Sequence, residues 1–253
     1  MRQPKDIDNF IDYQLYTKSL NELPFNSSLL VNTINQYSFC MANEDLGFKE
    51  SLQMSDILLP DGISVVAAEY VLTGKIIKKI SGADLHQHLL KELDEKGGSC
   101  FYLGASESTL AKIKLKMAKE HPHVKVGTYS PPFRKDFTAE ENKAMIDAIN
   151  AFKPDVLFIG MTAPKQEKWA YENKPQINAK IICTVGAVFD FYAGTVKRPS
   201  NLMIGLGLEW LGRLVKEPKR LWKRYLFYGP IFVWLIGKER IKRTLVKRTV
   251  RFV

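Results

Sequence analysis

Short apolar runs alternate with stretches of helical apolar spacing along most of this chain. The runs are Ser28 to Asn35, Ile57 to Leu59, Cys100 to Leu103, Val124 to Tyr129, Val156 to Ile159 and Ile181 to Val185. Runs of that length, bounded by turn residues, fit buried strands. Between them, Gln36 to Gln53, Ile63 to Leu72, Asp84 to Glu95, Ser106 to Glu120, Thr138 to Phe152 and Pro164 to Asn173 read as helices. Boundary signals agree. Gly97-Gly98 closes one helix, Thr138-x-x-Glu141 has the form of a capping box, and Pro164 stands where a missing N–H costs nothing. The alternation predicts an α/β fold: a Rossmann-like, mainly parallel sheet of about six strands covered by helices. The polar first 28 or so residues are expected to form a helix and a turn packed on that sheet. Lys75 to Lys79 is a basic linker.

A parallel sheet places the C-terminal ends of its strands on one edge, where ligands bind in open α/β folds. Asp61, in Leu59-Pro60-Asp61-Gly62, falls there. Taken alone it reads either as a ligand-facing carboxylate or as the cap of the next helix, a position that favours Asp. Four other ends share small or polar residues: Asn32-Thr33-Ile34-Asn35, Leu103-Gly104-Ala105-Ser106, Ile159-Gly160-Met161-Thr162 and Thr184-Val185-Gly186-Ala187. Glycine there admits a ligand to the backbone, and helix N-termini offer N–H groups to phosphate. Together Asn35, Gly104, Ala105, Gly160 and Gly186 point to a phosphate-bearing ligand. Gln166 opens a helix beside Lys165 and Glu167, where an amide can bond a sugar hydroxyl without adding charge; a solvated helix start is the plainer alternative. Asp190, among aromatics, suits a ribose or base, or a satisfied buried carboxylate.

Other chemistries are disfavoured. Neither G-x-G-x-x-G after a strand nor a P-loop occurs, which argues against hydride transfer on NAD and against ATP hydrolysis. His86 and His88, two apart on one helix, and His121 and His123 in a turn lack metal-site spacing and read as surface histidines. Asp6-Ile7-Asp8 matches a metal-binding D-x-D but follows no strand, so no metal is expected. Three dispersed cysteines argue for reduced, mostly buried thiols.

The net charge of +10 is unevenly placed. Residues 213–253 hold thirteen Lys/Arg and two Asp/Glu, leaving the first 212 at about −1. The chain thus divides into an α/β core over 1–200 and a basic helical C-terminal appendage over 201–253. After Pro218, helical spacing puts Leu221, Trp222, Tyr225 and Leu226 on one face, and Lys219, Arg220, Lys223 and Arg224 on the opposite one. That is the composition of an interfacial membrane helix. Leu226 to Ile236, interrupted by Gly229-Pro230, is too short to span a bilayer. A nucleic-acid partner would rest on charge alone.

These stretches together resemble the WecG/TagA/CpsF family of bacterial glycosyltransferases. The resemblance runs in order from about Val31 to Arg224. It takes in Thr33-Ile34-Asn35, Leu59-Pro60-Asp61-Gly62-Ile63, Gly82-Ala83-Asp84-Leu85, Phe101-Tyr102-Leu103-Gly104, Pro164 to Trp169 and Val185 to Asp190. Arg198-Pro199, Glu209-Trp210-x-x-Arg213, Glu217-Pro218-x-Arg220 and Arg224 complete it. It implies an inverting, metal-independent transferase. Such an enzyme would move a sugar, often N-acetylmannosamine, from a UDP-sugar to an undecaprenyl-diphosphate-linked sugar for a cell-surface polysaccharide. It would work as a peripheral protein on the anionic cytoplasmic face of the plasma membrane, and homo-oligomerisation stays open. The resemblance implies Asp61 as base, with Thr33 and Gln166 beside it. Lys79, Arg213, Arg220 and Arg224 are candidates for the diphosphate or the lipid acceptor. Lys79 stands where many members carry Arg, so it would meet phosphate as a point charge and not a bidentate fork. Ala163 before Pro164 also departs from the expected Gly-Ser/Thr-Pro form. The alternative from another class is a non-catalytic, membrane-peripheral nucleotide-binding module.

Overall fold

The computed structural model describes residues 7–24, 28–196, 201–205 and 207–250. Asp6 and Arg198-Pro199 lie outside them. Six parallel strands form the central sheet: β3 (Leu29–Ile34), β4 (Ile57–Pro60), β5 (Ser99–Gly104), β6 (Lys125–Tyr129), β7 (Val156–Gly160) and β8 (Ile181–Thr184), in the order β4-β3-β8-β7-β5-β6. The sequence alternation therefore gives the architecture it predicts. Buried runs such as Val156 to Ile159 are apolar on both faces because helices cover both.

One face of the sheet packs against α4 (Gly82–Lys96), α5 (Glu107–Glu120) and α8 (Val188–Tyr192), through Leu89, Ile113, Val188, Tyr102 and Phe158. The other takes α1 (Gln36–Glu44), α2 (Leu46–Gln53), α3 (Ile63–Thr73), α6 (Ala139–Phe152) and α7 (Lys165–Asn173). The stretch from Gln36 to Gln53 is two helices where one was expected. Asp45 interrupts it, and its carboxylate accepts from the Phe48 N–H to cap α2.

The N-terminal segment also differs from expectation. It forms an antiparallel hairpin, β1 (Ile7–Phe10) and β2 (Tyr13–Tyr16), followed by one short 3₁₀ turn at Leu20–Glu22. Phe10, Tyr13 and Leu15 are buried against Phe39 and Leu58, so period-two burial outweighs the polar composition. Its turn places Ile11 at φ 56°, an unusual left-handed position for a β-branched residue.

Beyond the sheet come α9 (Asn201–Gly205), α10 (Glu209–Lys216), α11 (Pro218–Trp222), a π-helical turn at Lys223–Phe227 and α12 (Tyr228–Val250). Gly229-Pro230 does not break this last helix, because proline in a first turn has no intrahelical N–H bond to lose. Tyr228, Phe232 and Ile236 are buried with Phe39, Val65 and Leu72 of α1 and α3. Each such burial contributes about 1.5–3 kcal/mol. The basic tail therefore docks on the layer that carries the ends of β3 and β4.

Candidate active site

Asp61 follows β4 directly. Its N–H bonds the Ile34 carbonyl at 2.8 Å, extending the β3–β4 ladder by one residue. Gly62, at φ 99°, is the residue that precedes α3, and no side chain caps that helix. Asp61 is thus not a helix cap, and its carboxyl is left for other work. Ile80 N–H bonds the Pro60 carbonyl at 2.9 Å, which brings the Lys75–Ile80 segment, and Lys79 with it, beside the same strand end.

The tail supplies the rest of the charge. Lys79 Nζ lies 3.3 Å from Glu209 Oε2 of α10, both partly buried. The Arg213 guanidinium lies over the Phe191 ring at 5.3 Å, and its Nε is buried without a hydrogen-bond partner among the described residues. Arg224, in the π turn, lies over Tyr37 at 5.1 Å. It faces inward, where helical spacing had grouped it with the outward basic side chains; the wider turn changes the angle between residues. Desolvation raises the Asp61 pKa above the usual carboxylate range, and Glu209 adds to this. Arg224, Lys79 and Arg213 act against it, Arg224 most. Desolvation likewise lowers the Arg224 pKa. Three cations from three segments of the chain thus act on one carboxyl at a strand end.

Gln166 and Glu167 form the floor of the adjoining strand ends. Both are buried in the first turn of α7. Gln166 Oε1 accepts from Met161 N–H at 3.1 Å, and its Nε2 donates to Glu167 Oε1 at 2.8 Å. A Cβ on Gly186, at φ 56°, would stand 3.6 Å from Gln166 Nε2 with nothing but that amide near it. Glu167 Oε2 is buried without a partner among the described residues. Desolvation raises the Glu167 pKa to about 7, with Gln166, its own backbone and Arg224 opposing. Spacing alone reads this residue as a solvated helix start, and nothing local in the sequence signals its burial.

The remaining candidates fall into place unevenly. Thr33 pairs with Leu59 in the β3–β4 register and is partly exposed. Asn35 caps α1, its Oδ1 accepting from Tyr37 and Ser38 N–H at 3.0 and 3.1 Å. Asp190 is in the first turn of α8 and accepts from Thr195 Oγ1 at 3.3 Å. Gly104 and Gly160 meet protein where open space was expected: a Cβ on Gly104 would come 2.4 Å from the Gly160 carbonyl oxygen, and one on Gly160 would come 2.5 Å from the Phe189 ring. Ala105, at φ 58°, follows Gly104. Arg220 is exposed and paired with Glu217 at 2.8 Å.

Two polar residues serve packing: Asn32, which the sequence put at a ligand-facing strand end, and His86. Asn32 is fully buried, taking Thr184 Oγ1 on its Oδ1 and giving its Nδ2 to Ser51 O and Ser55 Oγ. His86, expected at the surface, is buried, with Nε2 2.9 Å from Tyr102 Oη. Cys40, Cys100 and Cys183 are free and buried. Among the described residues no group of three His, Cys, Asp or Glu side chains is placed to hold a metal ion.

The family model described as "Glycosyl transferase WecG/TagA/CpsF family" matches residues 7–245. Three similar proteins are each named N-acetylglucosaminyldiphosphoundecaprenol N-acetyl-beta-D-mannosaminyltransferase. That of Bacillus subtilis (strain 168) is 29% identical over 85% of this chain and 82% of its own length. That of Bacillus spizizenii is 29% identical over 89% and 93%. That of Staphylococcus aureus (strain MW2) is 26% identical over 85% and 82%.

Proposed function

The chain belongs to the WecG/TagA/CpsF family of glycosyltransferases, and from that premise we propose a specific reaction. The enzyme moves N-acetylmannosamine or a related hexose from a UDP-sugar to an undecaprenyl-diphosphate-linked sugar, inverting the anomeric centre and requiring no metal. The product extends a cell-surface polysaccharide. The relatives' names support the acceptor and the sugar. The observation that carries the mechanism is Asp61, a carboxyl free of capping duty, at a strand end, with Arg224, Lys79 and Arg213 acting on it.

The chemistry is one displacement. An acceptor hydroxyl gives its proton to Asp61 as its oxygen bonds the anomeric carbon, and the bond from that carbon to the UDP oxygen breaks on the opposite face. A raised pKa makes Asp61 a stronger base than a solvated carboxylate. Negative charge gathers on the departing diphosphate, and Lys79, Arg213 and Arg224 are the groups that stabilise it. Thr33, Asn35 and Gln166 contact the sugar. Gly186, Ala105 and Asp190 line the nucleotide side, while Gly104 and Gly160 serve the close packing of β5, β7 and Phe189. Arg220, on the outer surface, meets the lipid-borne diphosphate.

No helix among the described residues is long and apolar enough to cross a membrane. Trp222, Leu226, Phe227, Val233, Trp234 and Ile241 are exposed along the tail, with Lys219, Lys223, Lys238 and Lys242 exposed among them. That pattern supports peripheral attachment to the anionic cytoplasmic leaflet, where each basic residue adds about 1 kcal/mol.

The test is incubation with several UDP-sugars and a synthetic lipid-diphosphate acceptor, read by mass spectrometry, with and without EDTA. Transfer that survives EDTA with an inverted linkage is expected. Transfer that stops with EDTA and returns with Mn²⁺ overturns the metal-independent reading, and no transfer from any UDP-sugar overturns the donor.

A further inference from the structure

Glu167 is a buried ionisable group of the site that this reaction does not use. The Gln166 amide beside it has two ways round. As it stands, its oxygen takes the Met161 N–H and its nitrogen gives a proton to Glu167 Oε1. Reversed, the amide NH₂ would face the Met161 N–H and its oxygen would face the carboxyl. Both contacts would be repulsive against an ionised Glu167. The backbone N–H and the carboxyl thus lock one orientation. One hydrogen on Nε2 stays unused, on a nitrogen whose side toward Gly186 carries no side chain.

We propose that Glu167 is a positioning residue: it turns the Gln166 amide so that an N–H donor, and not a carbonyl, is offered at the opening beside Gly186. The sugar group met there is then an acceptor, namely a hydroxyl or ring oxygen or an acyl carbonyl. That Glu167 Oε2 is buried without a partner among the described residues supports a role other than packing, since an apolar side chain would fill the site at lower cost. Among neighbouring charges, Arg224 acts on this carboxyl. Asp45 is held by Lys168, and Glu50 accepts from Tyr171 Oη.

The inference deepens the proposed transfer and rests on it, so the experiment has an arm that does not. In the full-length protein, the Gln166 side-chain amide is identified in ¹H–¹⁵N spectra by its loss in Gln166→Ala. Wild type and Glu167→Gln should show two well-separated amide protons protected from exchange; Glu167→Ala should merge and expose them. In transfer assays, Glu167→Ala should lower kcat/KM about 10-fold, the scale of losing one oriented hydrogen bond. Glu167→Gln, which keeps an accepting oxygen, should recover most of it. In a Gln166→Ala background, Glu167→Ala should change the rate less than about 2-fold. Equal, multiplicative losses in both backgrounds overturn the proposal, as does an amide unaffected by Glu167→Ala. If wild type transfers no sugar, the functional reading fails while the spectra still decide the positioning.

Discussion

His86 and Glu167 are both ionisable side chains buried on helices that flank one sheet, on opposite faces. Desolvation depresses the His86 pKa to about 3, so it is neutral, packed among Tyr102, Phe158 and Tyr192 and bonded to the Tyr102 hydroxyl. His86 itself keeps no orphaned nitrogen among the described residues. Glu167 keeps an orphaned oxygen, titrates near neutrality, and feels the same arginine that acts on Asp61. Burial alone therefore does not mark a site. Burial with an unmet hydrogen bond, a pKa moved into the working range and a cation shared with a second acid does.

The largest effect expected on the charged side of that comparison is at Asp61. Asp61→Asn should retain the fold and donor binding and lower turnover by about 10²–10⁴-fold. Thermal unfolding and a UDP titration check the first two, and a transfer assay the third. Near-normal turnover would remove Asp61 from the base role and leave the three cations that act on it without a catalytic partner there.

Most of the fold was legible because β–α alternation needs only local spacing. Strands Ile57 to Leu59 and Val156 to Ile159, and the Thr138 capping box, appear where spacing places them. The hairpin was not legible: its turn is Ile11-Asp12, without the Asn-Gly or Asp-Gly signature that marks such loops. His86 and Glu167 were read as surface residues because what buries them comes from elsewhere in the chain: Tyr102 and Phe158 for one, the β7 and β8 ends for the other. Spacing grouped Arg224 with the basic face because a uniform helical angle cannot register a π turn; only the family resemblance named it for the diphosphate. Asp61 was readable as a candidate from its strand-end position. Its freedom from capping was not, since that depends on the Gly62 backbone.

The two buried groups should also tilt stability in opposite directions with pH. Glu167 has a folded pKa of about 7 against an ordinary 4.5. Its contribution is fully present below about 4.5 and is lost as pH rises through 7. Glu167→Gln should therefore gain about 3 kcal/mol relative to wild type at pH 8 compared with pH 4. His86 has the reverse sign, with a folded pKa of about 3 against 6.5. Its contribution is present above 6.5 and is lost as pH falls. His86→Gln should gain about 2 kcal/mol relative to wild type at pH 5 compared with pH 8, while sparing transfer at neutral pH. Urea unfolding at three pH values measures both. Parallel slopes would erase the distinction between the clusters.

The smallest expected effect separates two arginines four residues apart. Arg224 is the largest influence holding the Asp61 pKa down against burial, whereas Arg220 is exposed and paired with Glu217. If ionised Asp61 takes the acceptor's proton, kcat/KM rises with pH through its pKa. Removing Arg224 raises that pKa, so Arg224→Gln should move the rising limb to higher pH, whatever else it does to the maximum. Arg220→Gln should leave the limb in place on a short soluble acceptor, losing rate only when the acceptor is embedded in a vesicle. Glu167 also feels Arg224, so the profile is repeated in a Glu167→Gln background. A shift that persists there belongs to Asp61. A shift that vanishes there belongs to Glu167, and the pH-sensing group of this site would then lie on the floor beside Gln166 and not at the end of β4.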